Sequence, residues 1–182
     1  MKNEIYILRD VSEKLNSAAI AFMLTGSVAM SYYATPRMTR DIDIIVALDR
    51  SDIEKICSLF GADYYVSKEA VAEAVRRKSM FNIIHFESVI KVDFIVLMNT
   101  PFAVSEFGRR SQLTLGDFQT TIISCEDLIL SKLVWAKDSG SEMQLRDVRN
   151  LLGQHCDLGY LRKWAEELTV QDTLESLLKT HE

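Results

Sequence analysis

Two aspartates in an otherwise apolar segment are the first residues of the sequence that could do chemistry. The segment DIDIIVAL, residues 41–48, is rich in isoleucine and valine and is predicted to be a strand, yet it carries Asp41 and Asp43. Because side chains alternate along a strand, both carboxylates point to one face while Ile42 and Ile44 point to the core. Carboxylates are seldom buried without a partner, so the pair indicates a site.

A third acid, Asp93, lies in a second apolar segment, IKVDFIVLM, residues 90–98. If the two strands are neighbours in the sheet, three carboxylates converge on one face. Close anions raise one another's pKa unless a cation lies among them. Mg²⁺ suits such a set because it takes one or two carboxylates together with substrate phosphates. Three carboxylates can hold two ions about 3.5–4 Å apart. We therefore expect a two-ion Mg²⁺ site, with Mn²⁺ as a substitute.

A possible phosphate-binding turn, Thr25-Gly26-Ser27, lies between a predicted strand at 21–26 and a predicted helix that opens at Ser27. Gly26 permits close backbone approach, and a helix N-terminus offers free N–H groups and a positive dipole end to a phosphate. Alone, the turn fits a simple helix cap, and Asp93 alone fits an ion pair with Lys91 or Arg40. Together, the turn and the three acids favour a site for a nucleoside triphosphate.

The surrounding pattern predicts an α+β fold, in which a small mixed β-sheet flanked by helices positions these residues. Residues 1–123 hold the predicted strands and form the expected catalytic core, whereas 124–182 are helical and form a C-terminal subdomain. The strands at 80–87 and 90–98 are joined by a tight turn and are expected to be antiparallel neighbours. A capping box, Ser51 with Glu54, is expected to start the helix that ends near Gly61.

Composition narrows the class of protein. Of 182 residues, 48% are hydrophobic and 26% charged, which is typical of a globular chain. The net charge of −5 falls on residues 111–182, with 7 Lys and Arg against 12 Asp and Glu, which disfavours binding to RNA. Three widely spaced cysteines predict free thiols rather than disulfides or zinc ligands. The N-terminus is not a signal peptide and no segment suits a membrane span, so we expect a cytoplasmic protein.

The residues quoted above resemble the fingerprint of the nucleotidyltransferase superfamily, which has the polymerase-β-like fold. LTGSVAMSYYATPRMTRDIDIIV, residues 24–46, is most similar to AbiEii/MenT-type and related bacterial and archaeal nucleotidyltransferases. The resemblance implies that Asp41 and Asp43 bind Mg²⁺ and that Asp93 completes the metal site and acts as general base. It also implies a set of nucleotide-binding residues, namely Gly26, Ser27, Arg37, Thr39 and Lys132.

The activity that the resemblance implies is transfer of an NMP group from an NTP to a hydroxyl acceptor, with release of pyrophosphate. The acceptor is open between a protein, tRNA and a small molecule. The alternative is a non-catalytic or antitoxin-like member that binds a partner, for which a cognate toxin or antitoxin protein is the candidate. A metal-dependent phosphatase or nuclease is a third interpretation, which the triphosphate-binding turn disfavours. Three further polar residues, Asp147, Arg146 and His85, are expected to make structural contacts.

Overall fold

A seven-stranded mixed sheet carries the site in the computed structural model, which describes residues 2–35 and 41–179. The strands are β1 (Phe22–Thr25), β2 (Asp41–Val46), β3 (Tyr64–Tyr65), β4 (Met80–His85), β5 (Lys91–Val96), β6 (Ser111–Leu115) and β7 (Phe118–Ile122). The helices are α1 (Lys2–Ser17), α2 (Gly26–Tyr33), α3 (Ile53–Phe60), α4 (Lys68–Arg77), α5 (Pro101–Gly108), α6 (Cys125–Ser139), α7 (Glu142–Leu152), α8 (Leu158–Glu167) and α9 (Gln171–Lys179), with a 3₁₀ turn at Arg50–Asp52.

The strands follow the order β3-β4-β5-β2-β1-β7-β6 across the sheet. The central strand β2 pairs with β1 in antiparallel fashion and with β5 in parallel fashion. As the hairpin pattern predicts, β4 and β5 are antiparallel neighbours. The predicted α+β class, with a small mixed sheet flanked by helices, is therefore confirmed.

Alternation along β2 and β5 separates the core from the open face of the sheet. Ile42 and Ile44 are fully buried, and so are Val92 and Phe94 on β5. They belong to one cluster of buried side chains that includes residues from α1, the sheet and all four C-terminal helices. The side chains of opposite parity on the same two strands include the three aspartates. The division into a core at 1–123 and a helical subdomain at 124–182 stays a prediction.

Two predicted helix starts differ from the structure. The second helix begins at Gly26 with Thr25 as its N-cap, one residue before the predicted start, so Ser27 lies inside the first turn. The predicted capping box of Ser51 and Glu54 is wrong. The Asp49 carboxylate instead accepts from Ser51 N–H at 2.7 Å, and the Asp52 carboxylate accepts from Asp49 N–H at 3.1 Å. Asp49 can cap two residues earlier because the chain first makes a 3₁₀ turn.

The predictions for the cysteines and the C-terminal part agree with the structure. Cys57, Cys125 and Cys156 are free thiols. The C-terminal part is helical, and its first helix is capped by Ser124, whose Oγ accepts from Asp127 N–H at 3.1 Å. Within the described ranges, none of the helices combines the length and the apolar composition that crossing a membrane requires.

Candidate active site

The register of β2 and β5 brings the acids together. These parallel strands pair in register, so that Asp43 lies directly beside Asp93 and Asp41 directly beside Lys91. Neighbouring strands are about 4.8 Å apart, and all four side chains have the same parity in the pleat. The condition set by the sequence, that the two acidic strands be neighbours, is therefore met.

The three carboxylates differ strongly in exposure. Asp93 is only 6% exposed, Asp43 is half-buried, and Asp41 is exposed at the start of β2. Asp93 Oδ2 forms an ion pair with Lys91 Nζ at 2.7 Å, whereas its Oδ1 is buried without a hydrogen-bond partner. A buried carboxylate oxygen without a partner is costly to the fold, which points to a ligand atom for a bound group.

The pKa of Asp43 reflects repulsion among these acids. Burial raises the pKa of Asp43, and the negative charges of Asp93 and Asp41 raise this pKa further. Two contacts oppose the shift, a hydrogen bond from the Ser27 backbone N–H and the positive charge of Lys91. The first turn of α2 thus already binds an anionic oxygen, as a helix N-terminus favours.

Gly26 fits the turn because any larger residue would collide with Asp43. Its φ is +64°, in the left-handed region that L side chains seldom adopt. A Cβ atom at this position would lie 1.9 Å from Asp43 Oδ2 and 2.6 Å from its Cγ. The missing side chain therefore lets the turn and the carboxylate approach each other closely.

The donor set suits a hard divalent cation. Three carboxylates lie on one face of the neighbouring strands β2 and β5. One oxygen of Asp93 is buried without a partner, and like charges raise the pKa of Asp43. Residues 2–35 and 41–179 contain no group of three or more His, Cys, Asp or Glu side chains already arranged as a metal cage. Instead, the Lys91 ammonium lies between Asp93 and Asp41, 2.7 Å and 3.7 Å from their Oδ2 atoms.

Lys132 is buried, whereas a lysine on a helix is usually exposed. It is 4% exposed, and its ammonium donates to Asp147 Oδ2 at 2.7 Å and to Gln144 Oε1 at 3.1 Å. The pair joins α6 to α7, and both helices pack against α2, whose N-terminus carries Gly26. Asp147 thus makes the interhelical pair that the sequence predicts for it.

The remaining predicted residues divide into three cases. Arg37 and Thr39 lie outside the described residues. Arg146 is exposed on α7. His85 is half-buried at the end of β4, with Nδ1 3.0 Å from Ser88 Oγ, and is a structural histidine.

Asn82 is a polar strand neighbour of Asp93 that is not among the predicted site residues. It lies opposite Asp93 in the β4–β5 pair and is exposed. Its signal was available in the predicted hairpin, since antiparallel strands place one polar residue opposite the other once the register is fixed.

The fold agrees with solved structures of nucleotidyltransferases. A nucleotidyltransferase-like antigenic protein from Paracoccidioides brasiliensis matches with a TM-score of 0.57 and 17% identity, covering 97% of this chain and 93% of that one. The lincosamide antibiotic adenylyltransferase LnuA, solved with lincomycin bound, matches at 0.52 and 16%, covering 83% and 96%. The antibiotic-resistance factor ANT(2'')-Ia matches at 0.58 and 10%, covering 98% and 95%.

Sequence comparisons add nothing to this likeness, since no protein-family model and no curated protein matches the chain. The structural likeness shows the nucleotidyltransferase fold, and the predicted fold is confirmed. The narrower resemblance to AbiEii/MenT-type proteins stays a prediction.

Proposed function

We propose that this chain is a Mg²⁺-dependent nucleotidyltransferase that moves an NMP group from an NTP to a hydroxyl acceptor and releases pyrophosphate. The observation that carries the proposal is the pairing of Asp43 with Asp93 on neighbouring strands, beside the N-terminus of α2. The acids on β2 and β5 are suited to bind a metal ion. The N-terminus of α2 next to them is suited to bind a phosphate group.

The triphosphate is assigned to the turn at Gly26 and Ser27. The backbone N–H groups of the first turn of α2 and its positive dipole end would bind phosphate oxygens, and Gly26 leaves room for them. Lys132, Arg37 and Thr39 complete the proposed nucleotide-binding set. Lys132 lies on a helix that packs against α2, but its ammonium would have to exchange its contacts with Asp147 and Gln144 for phosphate oxygens.

The metal is assigned to Asp41, Asp43 and Asp93, as a two-ion Mg²⁺ site in which Mn²⁺ can substitute. When bound, the ion supplies electrostatic stabilisation of the charge that develops on the transferred phosphoryl group. The partnerless Oδ1 of Asp93 and the raised pKa of Asp43 support this assignment, because both are relieved by a nearby cation.

The chemical step uses Asp93 as general base. The acceptor oxygen attacks the α-phosphorus of the NTP while the Asp93 carboxylate takes the proton of the acceptor hydroxyl. The bond from the α-phosphorus to the bridging oxygen breaks, and pyrophosphate leaves with that electron pair. General bases contribute about 10²–10⁴-fold to such steps when they lie within hydrogen-bond reach of the proton.

Among the acceptors left open by the sequence, a small molecule is favoured. The acidic C-terminal part disfavours tRNA, since RNA binding depends on neutralising phosphates with Lys and Arg. LnuA, which has the same fold, was solved with lincomycin bound. A protein acceptor and tRNA are therefore secondary candidates, and a cognate toxin or antitoxin protein is the partner expected of a non-catalytic member.

The test supplies each of the four α-labelled NTPs with Mg²⁺ or Mn²⁺ to the purified chain. Three acceptor pools are used: hydroxyl-bearing small molecules including lincomycin, bulk tRNA, and protein extract. We expect label in one pool with one preferred NTP, matched by pyrophosphate release. Asp93→Asn should lower the rate by about 10²–10⁴-fold.

Asp138→Asn is the matched control, since Asp138 is an exposed aspartate on α6. It should leave the transfer rate unchanged. Absence of product with every NTP and pool, or equal product from Asp93→Asn, would contradict the proposal and favour the non-catalytic, partner-binding alternative.

A further inference from the structure

The Lys91 ammonium lies beside two of the acids that form the proposed metal site. It begins β5, directly beside Asp41, and it has the same parity as Asp93 two residues later. Its ammonium is 2.7 Å from Asp93 Oδ2 and 3.7 Å from Asp41 Oδ2, so it bridges the most buried and the most exposed of the three acids.

Lys91 contacts Oδ2 of Asp93 and Oδ2 of Asp41, two acids of the proposed metal site, and leaves the partnerless Oδ1 of Asp93 for the ion. An ion held by Asp93 and Asp41 would lie close to the Lys91 ammonium, and two cations beside the same carboxylates repel each other. Binding of an ion by these acids would therefore weaken the contact between Lys91 and Asp93, and Lys91 would in turn weaken the binding of the ion. Lys91 can move, because its side chain is 36% exposed and has a flexible four-carbon stem.

We propose that Lys91 is an internal counter-cation that competes with the divalent ion for Asp41 and Asp93, and that it makes tight ion binding depend on the arrival of the NTP. This inference rests on the proposed function. Without nucleotide, the ammonium neutralises the acids and weakens their affinity for the ion. With nucleotide, the triphosphate offers new anionic oxygens to the displaced ammonium, and the ion gains phosphate ligands.

The competition gives Lys91 a role that a plain surface ion pair lacks. Removing a structural surface lysine leaves a distant metal site unchanged, whereas removing a competitor increases the affinity of that site. Coupling between ion and nucleotide is reciprocal, so a variant without the competitor should also show less enhancement of ion binding by nucleotide.

The experiment titrates free Mn²⁺ into the metal-free chain and follows bound Mn²⁺ by electron paramagnetic resonance, with and without a non-hydrolysable NTP analogue. We expect Lys91→Met to bind Mn²⁺ about fivefold more tightly than wild type without nucleotide, the upper range for a part-exposed ion pair. The enhancement caused by the analogue should shrink by the same factor. Lys91→Arg, which keeps the charge, should stay close to wild type.

The matched control is Lys68→Met, since Lys68 is an exposed lysine that pairs with Glu54 on a neighbouring helix. It should bind Mn²⁺ as wild type does. A second readout guards against a folding defect: metal-free Lys91→Met should melt below wild type, and saturating Mn²⁺ should raise its melting temperature more than that of wild type.

The outcomes separate the inference from the proposed function. If Asp43→Asn binds Mn²⁺ as well as wild type does, the metal site itself is wrong. If Asp43→Asn abolishes binding while Lys91→Met leaves the affinity unchanged or weaker, the site stands and the competition by Lys91 is refuted. Tighter binding by Lys91→Met but not by Lys68→Met or Lys91→Arg supports the inference.

Discussion

Two buried aspartates, Asp93 and Asp127, differ in whether both carboxylate oxygens have a partner in the protein. Asp127 is fully buried at the start of α6, and its Oδ2 accepts from Arg109 Nε at 3.0 Å and from Ser124 Oγ at 2.6 Å. Its Oδ1 accepts from the Tyr160 hydroxyl at 2.6 Å, and the Arg109 guanidinium lies 3.9 Å from the Tyr160 ring centre. Each oxygen of Asp127 therefore has protein donors.

Asp93 is nearly as buried but has one oxygen without a partner and Asp43 as its strand neighbour. Both carboxylates have a cation beside them, Lys91 at Asp93 and Arg109 at Asp127, but a carboxylate held for structure has both oxygens satisfied by the protein, whereas one held for chemistry keeps an open oxygen among like charges. Burial alone does not separate the two roles. The partners of each oxygen do.

The largest expected effect comes from removing the negative charge of each aspartate in turn. Asp127→Asn should lower the free energy of unfolding by about 3 kcal/mol, because it removes the charge that pairs with the part-exposed Arg109 and unbalances the donors around a fully buried side chain. Asp93→Asn should leave that free energy within about 1 kcal/mol of wild type, or raise it, because the relief of repulsion from Asp43 and Asp41 offsets the loss of the ion pair with the part-exposed Lys91.

Urea unfolding at pH 7 without metal measures both values. Equal destabilisation by the two variants would mean that Asp93 is a structural residue, and the distinction between the two aspartates would be lost.

A second comparison, between Gly26 and Gly140, tests whether the Asp43 carboxylate needs the space beside Gly26. Both glycines have positive φ, +64° and +67°, so alanine costs each backbone about 1–2 kcal/mol. An added Cβ meets Asp43 Oδ2 at 1.9 Å in Gly26 and no atom within 4 Å in Gly140. Only Gly26→Ala should displace the carboxylate.

We therefore expect Gly26→Ala to lower the NMP-transfer rate on the order of 100-fold, the cost of misplacing a catalytic group by about 1 Å. Gly140→Ala should keep the wild-type rate while losing similar backbone stability. Rates measured at a temperature where both variants are folded test this difference, and equal rates would show that the contact between Gly26 and Asp43 is dispensable.

The sequence predicted what local patterns determine. Alternation in DIDIIVAL places Asp41 and Asp43 on one face, and the hairpin pattern places β4 beside β5. Both follow from the strand period of two and are independent of distant residues. The neighbour relation of β2 and β5 was only a condition, because the 44 residues between Val46 and Lys91 do not fix which strands pair.

What the sequence could not predict depends on register and on packing of distant segments. The ammonium of Lys91 between two acids requires that Asp41 lie beside Lys91, which a shift of one residue would abolish. The burial of Lys132 depends on the angle between α6 and α7, which brings Asp147 against it. Helix periodicity gives the face of each residue but not the partner across the interface.

The smallest expected effect concerns another buried acid, Glu106, whose pKa is raised by burial. It is 4% exposed on α5, and Ser131 Oγ donates to its Oε1 at 2.6 Å. Burial raises its pKa from 4.5 to about 7, the Ser131 hydrogen bond opposes the shift, and the charge of Asp127 adds to it. Unlike Asp127, Glu106 has no cation among these contacts.

The sign of the pH dependence follows from that raised pKa. Between pH 4.5 and about 7 the folded chain keeps the Glu106 proton that the unfolded chain releases, so stability from this group falls as pH rises. Glu106→Gln mimics the protonated acid. Its free energy of unfolding in urea should rise by about 2 kcal/mol relative to that of wild type between pH 5 and pH 8.

The control is Glu167→Gln, at an exposed glutamate on α8, which should follow wild type at every pH. If Glu106→Gln also follows wild type, Glu106 ionises inside the fold as an exposed acid does, and the contrast among the buried acids reduces to Asp93 and Asp127.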